Sequence, residues 1–410
     1  MGNIRINQQR LWDSLMQMGD TGQLVDHGYT RVALTKADKA GRDLFSEWCS
    51  QAGCSLSIDT MGNLFFRRAG KNDELPPVIT GSHLDTQPTG GKFDGVYGVL
   101  AGLEVIRTLN EHDIVTDHPL EIVVWTNEEG ARFAPAMIGS GVWADIFTLD
   151  YGLSRADKEG ITIEQALIDT GFKGDKACRV KPVKAAFELH IEQGPILEQE
   201  EKQIGIVSGA QGINWLTLKL FGKPVHAGPT PMTGRIDPFM ALPGILHRLY
   251  TIVKECDDWA RVTFGDISAQ PGSRNTVPEV VTLAIDIRHP EDATLSAIAS
   301  QMREIIAEEC AAAGIDYELD DDWLSPPIQF DTQCIDAVRE AVNGLGYSNM
   351  DMFSGAGHDA VQIARVVPTS MIFIPCEGGI SHNPEEFASS DDIAAGANVL
   401  LQSMLAMAKA

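Results

Sequence analysis

The chain has 410 residues, of which 44% are apolar and 22% are charged. This composition is that of a soluble globular protein, and the length is enough for two or three domains. The 57 acidic and 32 basic side chains give a net charge of -25, which repels nucleic acid and anionic membranes and excludes both as partners. A small anionic substrate would need a local positive group, which a metal ion or an arginine supplies.

The cysteines and the N-terminal segment indicate the cellular compartment. Seven cysteines are scattered without a CxxC pair, a pattern typical of reduced thiols rather than of a disulfide framework. The segment "MGNIRINQQRLWDSLMQMG" has no apolar core of the kind found in signal peptides, and no apolar run approaches about 20 residues. We therefore expect a cytoplasmic protein without a membrane span.

Helical and strand patterns alternate along the first half of the chain. Apolar spacing predicts helices at "KADKAGRDLFSEWCSQAG" and "GVLAGLEVIRTLNEH". Short β-rich runs predict strands at "PPVITGS", "LEIVVWT" and "AAFELHI", and near the C-terminus at "TSMIFIP". This alternation predicts an α/β fold with a mostly parallel central sheet.

The middle of the chain follows a different pattern. Strands are predicted at "INWLTLKLFG", "ARVTFGDISA", "EVVTLAIDIRH" and "IDYELDD", and helices at "GRIDPFMALPGILHRLYTIVKE" and "ATLSAIASQMREIIAEECAAAG". The order βαββαβ is that of a ferredoxin-like α+β domain of about 110 residues. We therefore predict a catalytic domain, residues 1–210 and 329–410, interrupted by an inserted domain at 211–328.

Side chains that can bind metal ions or transfer protons lie at or just beyond the carboxyl ends of four predicted strands. His83 follows "PPVIT", Glu128 and Glu129 follow "LEIVVWT", His190 follows "AAFEL", and His382 follows "TSMIFIP". In open α/β sheets the loops at this edge converge on one crevice. We therefore expect these side chains to lie close together.

The residue types in this set favour a metal site. Three imidazoles and two carboxylates without a thiolate suit zinc, manganese or cobalt: His83, Asp94, Glu129, His190 and His382. Two ions ~3.5–4 Å apart would need a bridging carboxylate. Asp94 opens the predicted helix "DGVYGVLAGLEV", whose positive N-terminal end favours a carboxylate. From spacing alone, a metal site and a set of ordinary loop residues remain alternatives.

Two acidic residues near this set have predicted supporting roles. Asp85, shortly after His83, is placed to accept a hydrogen bond that orients the imidazole. Glu128 and Glu129 are adjacent and point in different directions at a strand end. One of them can therefore hold metal while the other accepts a proton from water.

Segments along nearly the whole chain resemble one family, the dinuclear-metal amidohydrolases. This family includes N-carbamoyl-L-amino acid hydrolases, β-ureidopropionases and allantoate amidohydrolases, with aminoacylases and dimetal carboxypeptidases as more distant relatives. The segments occur in the family's order: "GSHLDT", "GGKFDGVYG", "TNEEGARF", "ELHIEQGP", "HAGPTPM", "SRNTVP", "SGAGHDA" and "GISHNPEE".

The resemblance implies two divalent metal ions, zinc or manganese, and a role for each ligand. His83 and His190 would hold one ion, Glu129 and His382 would hold the other, and Asp94 would bridge them. The inserted domain would act as a lid and would form a homodimer.

The resemblance also implies roles for side chains that, taken alone, are ordinary loop residues or surface ion pairs. His226 would stabilise the oxyanion of the intermediate across the dimer, and Arg288 would clamp the substrate carboxylate. Asn275 would hydrogen-bond the carboxylate or carbonyl side of the substrate, and Gln193 would contact the ureido group. His358 in "SGAGHDA" is a candidate for a residue close to the site, with no assigned role.

The implied reaction is hydrolysis of the ureido C–N bond of an N-carbamoyl amino acid, with Glu128 as general acid/base. Its products would be the amino acid, ammonia and carbon dioxide. Allantoate hydrolysis is the first alternative. A peptidase or aminoacylase is the second, which His190 disfavours because the peptidase branches generally have an acidic residue there. A non-catalytic binding protein would be expected to lack a ligand or Glu128. The native metal and the choice between α- and β-amino acid substrates stay open.

Overall fold

The computed structural model describes residues 4–24 and 28–409. Residues 1–3, 25–27 and 410, which belong to the predicted catalytic domain, lie outside the described residues. Ala210–Ile328 forms one compact unit, compared with 211–328 in the prediction, and the rest of the described chain forms the other. None of the helices in the described ranges is long and apolar enough to cross a membrane.

Helices and strands are numbered here in chain order. The helices are α1 (Gln8–Asp20), α2 (Lys36–Gln51), α3 (Val96–Glu111), α4 (Ile138–Trp143), α5 (Leu149–Ser154), α6 (Ile163–Thr170), α7 (Ile196–Gln199), α8 (Leu242–Lys254), α9 (Asp292–Ala313), α10 (Thr332–Leu345), α11 (Asp359–Ile363) and α12 (Ser390–Met407). The strands are β1 (Ser55–Ile58), β2 (Leu64–Arg68), β3 (Val78–His83), β4 (Leu120–Trp125), β5 (Ala185–Ile191), β6 (Ile204–Ala210), β7 (Gly212–Phe221), β8 (Arg261–Thr263), β9 (Ile267–Gln270), β10 (Val280–His289), β11 (Asp316–Ser325), β12 (Ile328–Gln329), β13 (Asn349–Ser354) and β14 (Thr369–Ile374).

The first unit is built on a sheet with the strand order β1-β2-β4-β3-β5-β14-β6-β12, and β13 pairs with β6. Its four central strands, β4, β3, β5 and β14, run parallel, and β2 and β6 flank them antiparallel. Strands β3, β5 and β14 are buried along their whole length because helices α3, α11 and α12 pack against them. The predicted α/β fold with a mostly parallel central sheet is confirmed.

The second unit is an antiparallel sheet with the order β11-β7-β10-β8, with β9 also pairing with β10, and with helices α8 and α9 packed on it. This is the strand and helix order of the predicted ferredoxin-like fold. The prediction of a single strand at "ARVTFGDISA" is wrong, because the strand is interrupted near Gly265 and the segment forms two short strands, β8 and β9. The helix predicted from residue 234 begins only at Leu242, where Pro243 occupies its first turn and a short 3₁₀ turn, Pro238–Met240, precedes it.

Arg42, which forms a buried ion pair within α2, also joins this helix to the residue after β4. Arg42 Nε lies 3.0 Å from Asp38 Oδ2, and both side chains are 0% exposed. Arg42 also donates hydrogen bonds to the main-chain oxygen of Gly62 at 2.9 Å and to Thr126 Oγ1 at 3.3 Å. The guanidinium therefore supports the segment that leads from β4 to Glu128.

We expect Arg42→Ala to lower the free energy of unfolding by about 3–5 kcal/mol, because it leaves the Asp38 carboxylate buried without its partner. Lys39→Ala is the matched control, since Lys39 and Asp43 form an exposed pair at the same spacing on α2, 2.9 Å apart. That change should cost about 0–1 kcal/mol. Urea unfolding followed by tryptophan fluorescence measures both, and equal losses would contradict the role of the buried pair.

Candidate active site

The five side chains predicted as metal ligands meet at the carboxyl edge of the central sheet. His83 is the last residue of β3, and His190 lies inside β5, next to its end. Glu129 follows β4, and His382 follows β14. Asp94 comes just before α3, which begins at Val96 with Gly95 as its N-cap, so Asp94 does not open the helix as predicted. The parallel strands thus bring together groups that are far apart in the sequence.

Asp94 stands at the centre of this cluster, with each oxygen facing a different pair. Its Oδ1 is 3.1 Å from His190 Nε2 and 3.7 Å from His83 Nε2. Its Oδ2 is 3.2 Å from His382 Nε2, which is 3.4 Å from Glu129 Oε2. Two ligand groups therefore share Asp94, and the donor atoms within each group lie within 4.8 Å of one another.

The glycine before α3 allows Asp94 to approach the imidazoles. Gly95 has a φ of 66°, and a Cβ at this position would lie 2.3 Å from atoms of the His83 ring. Its main-chain N–H donates to His190 Nε2 at 3.0 Å. A side chain at this position would meet both a strained backbone and the His83 ring.

Main-chain oxygens orient the two buried imidazoles. His83 Nδ1 is 2.8 Å from the carbonyl oxygen of Asp85, and His190 Nδ1 is 2.8 Å from that of Ile191. The prediction assigned the contact with His83 to the Asp85 carboxylate. In the structure, the main-chain carbonyl oxygen of Asp85 makes this contact. The carboxylate instead accepts hydrogen bonds from the main-chain N–H groups of Glu128 and Glu129, at 3.3 and 3.2 Å.

Burial and neighbouring charges shift the pKa values of the groups in the cluster, and contacts with Asp94 raise the pKa of His382 to about 9. Burial raises the pKa of Glu129 to about 8 and the pKa of Glu128 well above its usual range, with nearby carboxylates adding to both shifts. Burial lowers the pKa of His83 to about 4. Burial alone would raise the pKa of Asp94, but its hydrogen bonds with His190 and His382 hold that pKa well below the usual range.

This donor set fits divalent metal ions. Imidazole nitrogens and carboxylate oxygens without a thiolate suit zinc or manganese. A dication would also balance the negative charge of the buried carboxylates. The residues present are therefore compatible with metal binding in both groups.

Glu128 and Glu129 differ in their surroundings. Glu129 accepts hydrogen bonds from Gln87, at 3.0 Å from the main-chain N–H and 2.7 Å from Nε2. The carboxylate of Glu128 is buried and places Oε2 3.4 Å from His83 Nε2. Gln87 thus fixes the Glu129 carboxylate beside His382, while Glu128 faces His83. Sequence reasoning missed Gln87, which lies in the same loop as His83.

Gln193 and His358 both lie next to the cluster. Gln193 Nε2 is 2.9 Å from Asp94 Oδ2 and 3.1 Å from Ser381 Oγ, so its amide contacts the shared carboxylate. The predicted ureido contact stays a prediction. The buried His358 ring packs edge-on to His190 at 4.6 Å, and its Nε2 is 2.9 Å from Ser354 Oγ. His358 therefore helps to enclose His190.

The remaining predicted residues, His226, Asn275 and Arg288, belong to the second unit. The main-chain N–H of Ala227 donates to the main-chain oxygen of Asn275 at 2.9 Å, which places the exposed His226 beside the Asn275 turn. Arg288 lies in β10 and pairs with Asp286 at 2.8 Å. Their substrate-binding roles stay predictions.

Comparison with known proteins identifies the family. The model of peptidase family M20/M25/M40 matches residues 79–406. The chain belongs to this family. An N-carbamoyl-L-amino-acid amidohydrolase from Rhizobium meliloti is 46% identical over 407 residues, which cover 99% of this chain and 98% of the relative. An allantoate amidohydrolase from Bacillus subtilis is 34% identical over 391 residues, which cover 95% of each chain.

A solved structure supports the same placement. A hydantoinase/carbamoylase family amidase from Burkholderia multivorans superposes with a TM-score of 0.95 at 50% identity, covering 99% of this chain and 98% of that one. The family resemblance and the hydrolase class predicted from the sequence are therefore confirmed.

Proposed function

We propose that this chain hydrolyses the terminal ureido C–N bond of N-carbamoyl amino acids, which releases ammonia and leaves a carbamate that breaks down to the amino acid and carbon dioxide. The main support is the mostly buried cluster around Asp94 with Glu128 beside it, in a chain that is 46% identical to a protein named for this activity. The proposal includes two divalent ions, zinc or manganese, and a cytoplasmic homodimer formed through the inserted domain.

The ligand assignment follows the two groups that share Asp94. His83 and His190 would hold one ion, Glu129 and His382 would hold the other, and Asp94 would face both. Bound zinc or manganese would lower the pKa of water and polarise the ureido carbonyl group. Gln87 would keep Glu129 directed at its ion through two hydrogen bonds.

Glu128 would carry the proton between the two halves of the reaction. Its carboxylate would accept a proton from the attacking water and deliver it to the leaving ureido nitrogen. Burial raises the pKa of the Glu128 carboxyl group, so a proton taken up from water would be held more firmly than on an exposed glutamate. No other acidic side chain in the described residues is proposed for this role.

The second unit would supply the groups that recognise the substrate. Arg288 would pair with the substrate carboxylate, which requires release of part of its contact with Asp286. Asn275 would hydrogen-bond the carboxylate or carbonyl side, and His226 of the partner subunit would stabilise the oxyanion. Gln193 would contact the ureido group. An anionic substrate could then bind to a protein of net charge -25.

Ammonia release tests the proposal directly. Protein reconstituted with Mn²⁺ or Zn²⁺, and a chelator-treated control, would be assayed with N-carbamoyl-L-amino acids, N-carbamoyl-β-alanine and allantoate. We expect metal-dependent release from an N-carbamoyl amino acid. Release from allantoate alone would favour the function named for the Bacillus subtilis relative. No release from any of the three by folded, metal-loaded protein would overturn the proposal, and dipeptides would be assayed next.

A further inference from the structure

Glu386 is a buried carboxylate, 5% exposed, in the segment between β14 and α12. Its Oε1 accepts hydrogen bonds from the main-chain N–H groups of Phe93, at 2.8 Å, and Asp94, at 3.1 Å. Its Oε2 is 3.1 Å from Ser381 Oγ. One carboxyl group therefore joins the loop of Asp94 to the segment that contains His382.

The contacts of Glu386 extend to the side chain of Asp94. Ser381 Oγ, which Glu386 contacts, is also 3.0 Å from Asp94 Oδ2. Gln193 Nε2 is 2.9 Å from the same oxygen and 3.1 Å from Ser381 Oγ. These neighbours fix the rotation of the Asp94 carboxyl group. Because Oδ1 and Oδ2 face different ligand groups, a rotation would disturb both groups together.

The loop has a glycine at the point where Glu386 approaches. A Cβ on Gly91 would lie 2.2 Å from Glu386 Oε1 and 2.3 Å from its Cδ, whereas the backbone of Gly91 is outside the left-handed region. At the neighbouring Gly90, a Cβ would come no closer than 3.4 Å, to Thr86 Cβ. The same position lies 2.5 Å from Glu386 Cβ, so an alanine at Gly91 would displace the whole Glu386 side chain with its carboxyl group, and an alanine at Gly90 would not.

We propose that Glu386 is a positioning residue that sets the orientation of Asp94 and thereby the affinity of both ligand groups for divalent ions. The inference rests on the proposed function only in treating the cluster as a metal site. It predicts that displacing Glu386 weakens metal binding in protein that is still folded. A purely structural role would lower stability and leave the affinity of the folded protein unchanged.

The first test compares two alanine variants that keep every ligand and every charge. Mn²⁺ would be titrated by calorimetry into chelator-stripped wild type, Gly91→Ala and Gly90→Ala, with thermal unfolding recorded for each. We expect Gly91→Ala to weaken Mn²⁺ binding about 10- to 100-fold, the range for loss of a group that orients a ligand. Gly90→Ala should stay near wild type. Wild-type affinity in folded Gly91→Ala would overturn the proposal.

The second test separates hydrogen-bond geometry from charge. In Glu386→Gln, the amide oxygen can accept both main-chain N–H bonds and the amide nitrogen can donate to Ser381 Oγ. We therefore expect near-wild-type Mn²⁺ affinity for Glu386→Gln and a loss of about 10- to 100-fold for Glu386→Ala. The exposed neighbour provides the control, Glu385→Ala, which should have no effect. Equal losses in the glutamine and alanine variants would overturn the positioning role.

If the alanine variants at Gly91 and Glu386 do not fold, Ser381→Ala decides the question. It removes only the hydroxyl group between Glu386 and Asp94, so weaker Mn²⁺ binding supports the proposal and unchanged binding overturns it. The titrations use no substrate, and a wrong substrate class therefore leaves them unaffected. Failure of wild type to bind either Mn²⁺ or Zn²⁺ would overturn this inference together with the metal site.

Discussion

Glu128→Gln is expected to lower the turnover number for N-carbamoyl amino acids by about 10²- to 10⁴-fold while metal binding persists. Glutamine has nearly the same shape as glutamate but cannot take up a proton from water. Glu128 is not among the side chains in the two ligand groups around Asp94, although its Oε2 lies 3.4 Å from His83 Nε2. The substitution should therefore remove the proton carrier and leave the ligands in place.

The neighbouring residue provides the control for this prediction. Glu129→Gln removes a carboxylate from the group of Asp94, Glu129 and His382 and should lower metal content as well as turnover. Ammonia release would give the turnover number, and atomic absorption would give the metal content of the same samples. Loss of metal in Glu128→Gln, or unchanged turnover, would contradict the assignment of Glu128 as the proton carrier.

The different roles proposed for these adjacent glutamates would depend on Asp85. Its buried carboxylate accepts hydrogen bonds from the main-chain N–H groups of both residues, at 3.3 and 3.2 Å. The turn after β4 is therefore fixed, and the two side chains leave it in different directions. Gln87 then holds one carboxylate, and the other faces His83. A change in this turn would alter the directions of both carboxylates.

The central part of the fold could be predicted because its signals are local. Strands such as β3 and β14 are continuous apolar runs, as expected for strands covered on both faces, and His83 comes at the end of such a run. The break between β8 and β9 was missed because both halves have β-rich sequences. Only their separate pairing with β10 distinguishes the two strands.

The supporting contacts of the site could not be predicted, because they join residues that are distant in the sequence. "SHNPEE" contains two adjacent glutamates, and no local pattern distinguishes the buried Glu386 from the exposed Glu385. The partners of Glu386 are main-chain groups of Phe93 and Asp94, in another part of the chain. Asp85 differs from prediction for a related reason: its main chain is close enough to His83 to make the expected bond, which leaves the carboxylate for a distant turn.

Asp94→Asn is expected to weaken the binding of both ions together. The loss should exceed the factor of about 10 to 100 that is expected when only an orienting contact is removed. Asp94 is the only residue that both ligand groups share among the described residues, with Oδ1 toward His190 and Oδ2 toward His382. An asparagine would present an N–H₂ group in place of one oxygen and would lack the negative charge. Neither ion would then keep its full set of ligands.

A residue that belongs to only one of the two groups provides the control for this prediction. His382→Ala removes a side chain that belongs to only one of the two groups, so one Mn²⁺ site should weaken and the other should persist. Titration of stripped protein with Mn²⁺ would count the sites in each variant. If Asp94→Asn kept one site at wild-type affinity, Asp94 would belong to a single ion, and the two groups would have to be joined by a different ligand. If both sites weaken together, Asp94 couples them, and its orientation by Glu386, Ser381 and Gln193 becomes a condition for the whole metal centre.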